Sequence, residues 1–311
     1  MSRFWVFPGQ GAQQPGMLHT LPSEPEAREC LDEASAALGE HVLGLDTPEA
    51  LQSTRAVQLC LLIAGVASSR VLLAQGNTPD YVAGLSIGAY PAAVIAGALR
   101  FADAVRLVAL RGELMQNAYP QGFGMTALMG LDQHAVEHLI AHVHSEATPV
   151  YLANINADNQ FVIAGSDQAM VSVARLAKEQ GAAAAKRLAV SVPSHCELLR
   201  EPAEQLAQAF AGVALNAPSM KYLSGSTARP VLTAEKMRED LAFNMCRIID
   251  WRSTVQTAYE RGARLQIELP PGTVLTGLAR RVFEQGSVVA FQGARLDTLS
   301  ALSREEERQR P

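Results

Sequence analysis

The residues best suited to chemistry are five consecutive ones, 84–88, which read Gly-Leu-Ser-Ile-Gly. They fit the pattern G-x-S-x-G, in which a serine occupies a sharp turn between a strand and a helix. The apolar runs on either side, 80–85 and 87–98, predict that strand and that helix. Such a turn lifts Oγ of Ser86 above the sheet and leaves the N–H of Ile87 at a helix start, where it can stabilise an oxyanion. The pattern favours a nucleophilic serine over the alternative, a glycine-lined turn with a capping serine.

A serine nucleophile needs a base, and the chain has seven histidines. His195 is the strongest candidate, because it lies where the chain leaves a predicted insert and would face the cleft between two lobes. The alternative for any single histidine is a structural role. Four others lie on or beside a charged predicted helix and are interpreted as surface residues: His134, His138, His142 and His144.

One arginine offers a recognition group for an anionic substrate. Arg111 closes a predicted apolar helix over 102–110. A cation is favourable near a helix C-terminus, so a solvated cap is one interpretation. The other is a guanidinium fork that binds a carboxylate through two hydrogen bonds.

The elements that must position these residues alternate between strands and helices. A strand at 4–7 is followed by a glycine-rich loop, and helices are predicted at 27–38 and 51–73. This alternation predicts an α/β fold with a parallel sheet covered on both faces. A polar tail at 304–311 is expected to fray.

One segment has a different order of predicted strands and helices. Residues 124–190 predict the order β-α-β-β-α-β of a ferredoxin-like subdomain, with a polar turn at 156–159. We therefore predict a large α/β domain formed by residues 1–123 and 191–311, with the small subdomain inserted at 124–190.

Composition limits the function classes. Of 311 residues, 48% are hydrophobic and 18% are charged, which suits a globular protein with a large core. The net charge of −5 argues against a nucleic-acid or anionic-membrane binder. The four cysteines form no C-x-x-C pair, so we expect neither a zinc site nor a disulfide framework but a reduced, cytoplasmic setting. The longest apolar stretch that we identified is too short to span a bilayer, so we expect a soluble protein.

Five motifs in order resemble the malonyl-CoA:acyl-carrier-protein transacylase family. They are Phe-Pro-Gly-Gln-Gly at 7–11, the G-x-S-x-G turn at 84–88 (the nucleophile elbow), Arg-Gly at 111–112, Val-Pro-Ser-His-Cys at 192–196 and Pro-Gly-Thr-Val-Leu-Thr-Gly-Leu at 271–278. The resemblance implies an α/β-hydrolase-like large domain with a ferredoxin-like insert. It covers residues 4 to about 285, which is most of the chain.

The resemblance also implies roles for individual residues. Ser86 would attack a malonyl thioester while His195 takes its proton. The N–H groups of Gln10 and Ile87 would form the oxyanion hole, and Arg111 would bind the malonyl carboxylate. The substrate would be malonyl-CoA, and the acceptor would be the phosphopantetheine-type thiol arm of an acyl carrier protein. No metal and no tightly bound cofactor is implied.

Within the family, four further stretches resemble the malonyltransferase (epsilon) subunit of bacterial malonate decarboxylase. They lie at 45–51, 53–59, 88–93 and 150–157. The partner would then be the carrier subunit of that complex, with a phosphoribosyl-dephospho-CoA arm. The alternatives are a general transacylase of fatty-acid or polyketide synthesis, a serine hydrolase with the same elbow, and a scaffold subunit without turnover.

The chain departs from the usual Gly-His-Ser-x-Gly-Glu of fatty-acid transacylases at two positions, where it has Leu85 and Ala89. Asp250 could orient His195 as the acid of a triad, or could be a surface or capping residue. Asn156 could line the acyl channel, or belong to the predicted turn. Two basic pairs are candidates for contact with an acidic carrier protein, Lys186-Arg187 and Arg280-Arg281.

Overall fold

The computed structural model describes residues 2–308. Its first sheet has five parallel strands in the order β10-β9-β1-β2-β7. The strands are β1 (Ser2–Phe7), β2 (Tyr81–Gly84), β7 (Lys221–Leu223), β9 (Ala263–Glu268) and β10 (Ser287–Ala290). Alternate residues of β1 enter different cores: Trp5 and Phe7 face one, and Phe4 and Val6 face the other. The sheet is therefore buried on both faces, as parallel sheets are.

Helices form the two outer layers around this sheet. They are α1 (Pro25–Leu38), α2 (Thr54–Ala74), α3 (Ala89–Ile95), α4 (Phe101–Ala118), α7 (Arg200–Ala209), α8 (Ala234–Phe243), α9 (Trp251–Glu260), α10 (Val274–Ala279) and α11 (Leu296–Arg308). The larger core contains buried residues from α1 to α4, whereas the smaller core contains buried residues from α9 and α10. The predicted α/β class with a parallel sheet is confirmed.

The second sheet is formed largely by the predicted insert. Its elements are β3 (Phe123–Met129), α5 (Gln133–Val143), β4 (Val150–Ala157), β5 (Gln160–Ser166), α6 (Asp167–Glu179) and β6 (Ala184–Arg187). These four strands pair antiparallel in the order β6-β3-β5-β4, which with the two helices gives a ferredoxin-like arrangement. A two-residue strand, β8 (Ile249–Asp250), extends the sheet by pairing parallel with β4. The domain boundaries at residues 124 and 190 stay a prediction.

The helix that carries Arg111 is longer than predicted. Helix α4 continues to Ala118, so Arg111 lies inside it and is no C-terminal cap. The sequence predicts the helix end too early because Gly112 follows Arg111, and glycine often ends a helix. Here the glycine permits close packing instead, since a Cβ at Gly112 would lie 2.5 Å from Cα of Arg55 in α2.

Two further expectations are wrong in detail. Helix α11 extends through Arg308, so residues 304–308 are helical, and Glu306 is buried. Residues 309–311 of the predicted tail lie outside the described part of the chain. The predicted turn at 156–159 is shorter, because β4 continues through Ala157 and places Asn156 in a strand.

Helix α2 is the one described helix that is long and apolar enough to cross a membrane by length and composition. Its most apolar window is 89% buried inside the protein, which is what a core helix shows. Its packing against α1 and α4 builds much of the larger core. The apolarity of α2 is thus accounted for by burial in the protein.

Candidate active site

The serine of the G-x-S-x-G motif stands on a strained turn. Strand β2 ends at Gly84, and a 3₁₀ turn at Ser86–Gly88 leads directly into α3. Ser86 has φ 58° and is only 8% exposed. A Cβ at Gly84 would lie 1.8 Å from the carbonyl carbon of Gly88, and a Cβ at Gly88 would lie 2.2 Å from the carbonyl oxygen of Phe7. Both glycines are thus required by close approach, which explains the spacing of the motif.

The loop after β1 lies against this turn. The N–H of Leu85 donates to the carbonyl oxygen of Phe7 at 3.0 Å. A Cβ at Gly9 would lie 2.9 Å from the carbonyl oxygen of Leu85. Gln10 follows Gly9 directly and is half-buried. Ile87 is in the first turn after Ser86, where N–H groups lack acceptors within the helix. The oxyanion hole formed by the N–H groups of Gln10 and Ile87 stays a prediction.

Arg111 is fully buried beside the serine. Its Nη2 donates to Oγ of Ser86 at 3.2 Å and to Oδ1 of Asn244 at 3.0 Å, and its Nη1 donates to Oε1 of Gln58 at 2.8 Å. Its guanidinium lies 5.7 Å from the ring centre of Tyr90. Burial lowers the pKa of Arg111 below its usual range.

The hydrogen-bond partners of the Arg111 guanidinium within residues 2–308 are all neutral. None of the ion pairs in this part of the chain includes Arg111, and its Nε is buried there without a hydrogen-bond partner. A buried cation without a counter-charge costs stability unless a ligand supplies that charge. The site is therefore arranged to receive an anion next to Oγ of Ser86.

His195 is also strained and buried. It has φ 64° and is 3% exposed. Its Nδ1 lies 2.8 Å from the backbone carbonyl oxygen of Asn244, and its N–H donates to the carbonyl oxygen of Met245 at 2.7 Å. Because a carbonyl only accepts, Nδ1 carries the proton and Nε2 is left as the basic nitrogen.

The pKa of His195 suits a group that begins the reaction unprotonated. Burial is the main cause that lowers this pKa to about 4; the Arg111 cation acts in the same direction, and hydrogen bonds to the backbone of Asn244 and Arg247 oppose the shift. Among the described residues, three non-glycine residues have positive φ, and Ser86 and His195 are two of them. Such strain tends to occur at functional sites.

Asp250 does not orient the histidine. Its side chain accepts from the N–H of Ser253 at 3.0 Å and caps α9. The position that a triad carboxylate would fill at Nδ1 is taken by the Asn244 carbonyl. The structure thus gives Asp250 the capping role, and the triad hypothesis is corrected.

Sequence reasoning missed two residues that contact Arg111. Gln58 is a buried polar residue in the otherwise apolar stretch 56–67 of α2, and this is a signal that could have identified it. Asn244 is the first residue of a 3₁₀ turn at Asn244–Cys246. Its type and position in the sequence give no comparable signal.

Asn156 lies away from these groups, in β4. It borders a cleft between the insert and the helices α9 and α10, together with Arg252 and Arg281. Its Oδ1 is buried without a partner among the described residues. An unpaired buried amide oxygen suits a ligand that donates a hydrogen bond, so a role in lining the channel stays a prediction.

The two basic pairs are exposed, and one residue of each pair forms an ion pair or a hydrogen bond within the protein. Arg187 forms an ion pair with Asp167 at 2.8 Å and donates to the carbonyl oxygen of Phe123. Arg281 donates to Oδ1 of Asn159 at 3.3 Å. Lys186 and Arg280 are exposed. Each pair therefore presents at least one exposed cation on the surface.

The described part of the chain holds no cluster of three or more His, Cys, Asp or Glu side chains placed to bind a metal. The four cysteines are buried and unpaired. Burial raises the pKa of Cys196, next to the base, to about 12. That thiol is therefore a poor nucleophile compared with a cysteine of ordinary pKa.

The depressed pKa of His195 makes a prediction about pH. We expect the rate at which Ser86 is acylated by a thioester to stay level from pH 8 down to about pH 5, and to fall as the pH approaches 4. Rapid quenching followed by intact-mass measurement would follow the acyl-enzyme. An inflection near pH 6.5 would contradict the burial argument.

The control for this experiment is the unfolding free energy at each pH. The folded pKa of His195 lies below its unfolded value, so the unfolded state binds more protons between pH 6.5 and about 4. The contribution to stability is present above pH 6.5 and is lost as the pH falls through that window. Rates are therefore compared only where the protein remains folded.

Comparison with known proteins extends over nearly the whole chain. A family model described as "Acyl transferase domain" matches residues 4–308. The malonyl CoA-acyl carrier protein transacylase of Haemophilus influenzae is 39% identical over 284 residues, which cover 89% of this chain and 91% of the relative. The crystal structure of FabD from Acinetobacter baumannii matches with a TM-score of 0.91 and 36% identity, over 98% of this chain and 99% of that one.

A third similar structure was solved with a partner. A malonyl-transacylase in complex with a type II polyketide acyl-carrier protein matches with a TM-score of 0.90 and 36% identity, over 99% of this chain and 100% of that one. Matches of this extent include both sheets.

Proposed function

Since this chain belongs to the acyl transferase family and is an acyltransferase of the malonyl-CoA:acyl-carrier-protein S-malonyltransferase type, we propose that malonyl passes through an ester on Ser86. The observation that carries this proposal is the contact between Arg111 and the serine oxygen. Nη2 of the buried Arg111, a cation that no carboxylate of residues 2–308 pairs with, lies 3.2 Å from Oγ of the nucleophile. A malonyl group esterified to that oxygen carries its free carboxylate within reach of the guanidinium.

The first half-reaction forms the acyl-enzyme. Oγ of Ser86 attacks the thioester carbonyl carbon of malonyl-CoA, and Nε2 of His195 accepts the serine proton. The N–H groups of Ile87 and Gln10 stabilise the tetrahedral oxyanion. The carbon–sulfur bond then breaks, and His195 returns the proton to the leaving thiolate of coenzyme A.

The second half-reaction reverses these steps with a different thiol. His195 takes the proton of the carrier's thiol, whose sulfur attacks the ester carbonyl. The carbon–oxygen bond breaks, Ser86 regains its proton, and the malonyl group leaves as a thioester on the carrier. Arg111 binds the carboxylate throughout, so the acyl group keeps its orientation between the two half-reactions.

The names of the similar proteins favour an acyl carrier protein of fatty-acid or polyketide synthesis as the acceptor. A second candidate is the carrier subunit of malonate decarboxylase. Leu85 and Ala89 favour it, because the elbow has neither the imidazole nor the carboxylate of the usual fatty-acid pattern. The chemistry on Ser86 is the same for both acceptors.

A transfer experiment distinguishes the acceptors. Malonyl-enzyme freed of coenzyme A is mixed with acyl carrier protein bearing 4′-phosphopantetheine, or with the decarboxylase carrier bearing its phosphoribosyl-dephospho-CoA arm. We expect transfer to the phosphopantetheine carrier, and mass spectrometry of both proteins measures it.

Two other outcomes would change the conclusion. Transfer to the decarboxylase carrier alone would establish the second candidate. Loss of malonyl to water at a rate independent of either carrier would instead indicate a serine hydrolase. The carrier proteins without their arms serve as controls, since they offer no thiol acceptor.

A further inference from the structure

We propose that Asn244 is a positioning residue whose side chain sets the preference for malonyl over neutral acyl groups. It does so by fixing the guanidinium of Arg111 to the turn that carries the nucleophile. The inference rests on the proposed malonyl transfer through Ser86.

The side chain of Asn244 joins two elements of the site. It is 3% exposed. Its Oδ1 accepts from Nη2 of Arg111 at 3.0 Å, and its Nδ2 donates to the backbone carbonyl oxygen of Ser86 at 3.1 Å. The guanidinium only donates and the carbonyl only accepts, so the orientation of the amide follows from its partners.

An amide is the group that satisfies both partners. A carboxylate at this position would neutralise Arg111 and would place an anionic oxygen against the Ser86 carbonyl. A hydrocarbon side chain would leave both groups unpaired in a buried site. The amide holds the guanidinium without cancelling its charge, so that charge remains available to a substrate.

The hydrogen bonds of the guanidinium indicate which of its N–H donors remain for the substrate carboxylate. Asn244 and Ser86 Oγ accept from Nη2, and Gln58 accepts from Nη1. Nε has no partner within residues 2–308. When Oγ becomes an ester oxygen it is a weaker acceptor, and a carboxylate can replace it along the Nε–Nη2 edge. The bond to Asn244 keeps that edge directed toward the acyl group.

The same residue contacts the base, but through its backbone. The carbonyl oxygen of Asn244 accepts from Nδ1 of His195. A substitution that changes only the side chain retains this carbonyl. Loss of the amide should therefore affect recognition of the carboxylate and leave the pH dependence of the base unchanged.

The test is Asn244→Ala, with acylation by malonyl-CoA and by acetyl-CoA measured as intact mass over time. A misplacement of about 1 Å can cost roughly 10²-fold, so we expect malonyl acylation to fall by about that factor. Acetylation makes no use of Arg111 and should change much less. The malonyl-to-acetyl ratio therefore falls, while the pH profile of acetylation stays that of wild type.

A second variant and a double variant make the test decisive. Asn244→Asp preserves the shape and pairs Arg111 with an internal carboxylate, so it should lower the same ratio even if the alanine variant does not fold. In an Arg111→Ala background, Asn244→Ala should cause no further change in the ratio. Asn117→Ala, on an exposed position of the same helix as Arg111, is the matched control.

The outcomes separate this inference from the proposed function. Equal loss of malonyl and acetyl acylation, or a shifted pH profile, would show that Asn244 supports the turn or the base instead of Arg111. A further fall of the ratio in the double variant would also overturn the proposal. Failure of the proposed function would appear differently, as the absence of a malonyl adduct on the wild-type protein.

Discussion

Ser86→Ala will form no malonyl adduct, and its kcat for transfer from malonyl-CoA will be about 10⁶-fold below that of the wild type, by analogy with the serine of subtilisin. The reason is that Oγ of Ser86, which lies 3.2 Å from Nη2 of Arg111, is the atom that forms the ester, and alanine offers no atom to carry the acyl group. Intact mass after brief incubation with malonyl-CoA measures the adduct, and transfer to a carrier thiol measures turnover.

The matched control is Ser145→Ala, at an exposed position in the loop between α5 and β4. It should acylate like the wild type. An adduct of malonyl mass on Ser86→Ala would show that another group carries the acyl chain. Peptide mapping of that adduct would then identify the nucleophile.

Arg111→Ala will lower the discrimination between malonyl and acetyl by up to ~10⁴-fold, as in sites built to bond a polar substrate group. In the wild type the partners of the buried guanidinium among the described residues are neutral. An acetyl group would therefore leave the guanidinium without a counter-charge, whereas the carboxylate of a malonyl group would supply one. The measurement is the ratio of second-order acylation rates with malonyl-CoA and acetyl-CoA.

Arg106→Ala is the control for that substitution, because Arg106 is exposed on the same helix and pairs with Asp103. Its ratio should equal that of the wild type. An unchanged ratio in Arg111→Ala would mean that the carboxylate is bound elsewhere. The proposed orientation of the acyl group would then be wrong.

The turn around Ser86 was predictable because the strand and helix beside it have clear apolar patterns and because its glycines follow a known spacing. Gly84 is required by the backbone of Gly88 within the turn, whereas Gly88 is required by the carbonyl of Phe7 on β1, which the sequence does not place there. His195 was predictable from its place at the edge of the insert. The types and spacing of the residues were therefore enough to predict the nucleophile and the base.

The orienting partner of His195 could not be predicted in the same way. It is a backbone carbonyl, which every residue has, so the sequence gives no sign of it. Asp250 was the attractive alternative because a carboxylate is visible in the sequence.

The last helix could not be predicted from an apolar pattern either. Helix α11 buries Leu299, Ser303 and Glu306 at helical spacing, but two of these are polar.

The two-residue strand β8 couples the insert to the base. Ile249 and Asp250 pair with Asn154 and Ile155 of β4, and only Arg247 and Ile248 separate β8 from the turn that contains Asn244. The insert is therefore linked, through two intervening residues, to the segment whose carbonyl accepts from Nδ1 of His195. A displacement of β4 would move the orienting partner of the base, so the placement of His195 depends on the insert as well as on the parallel sheet.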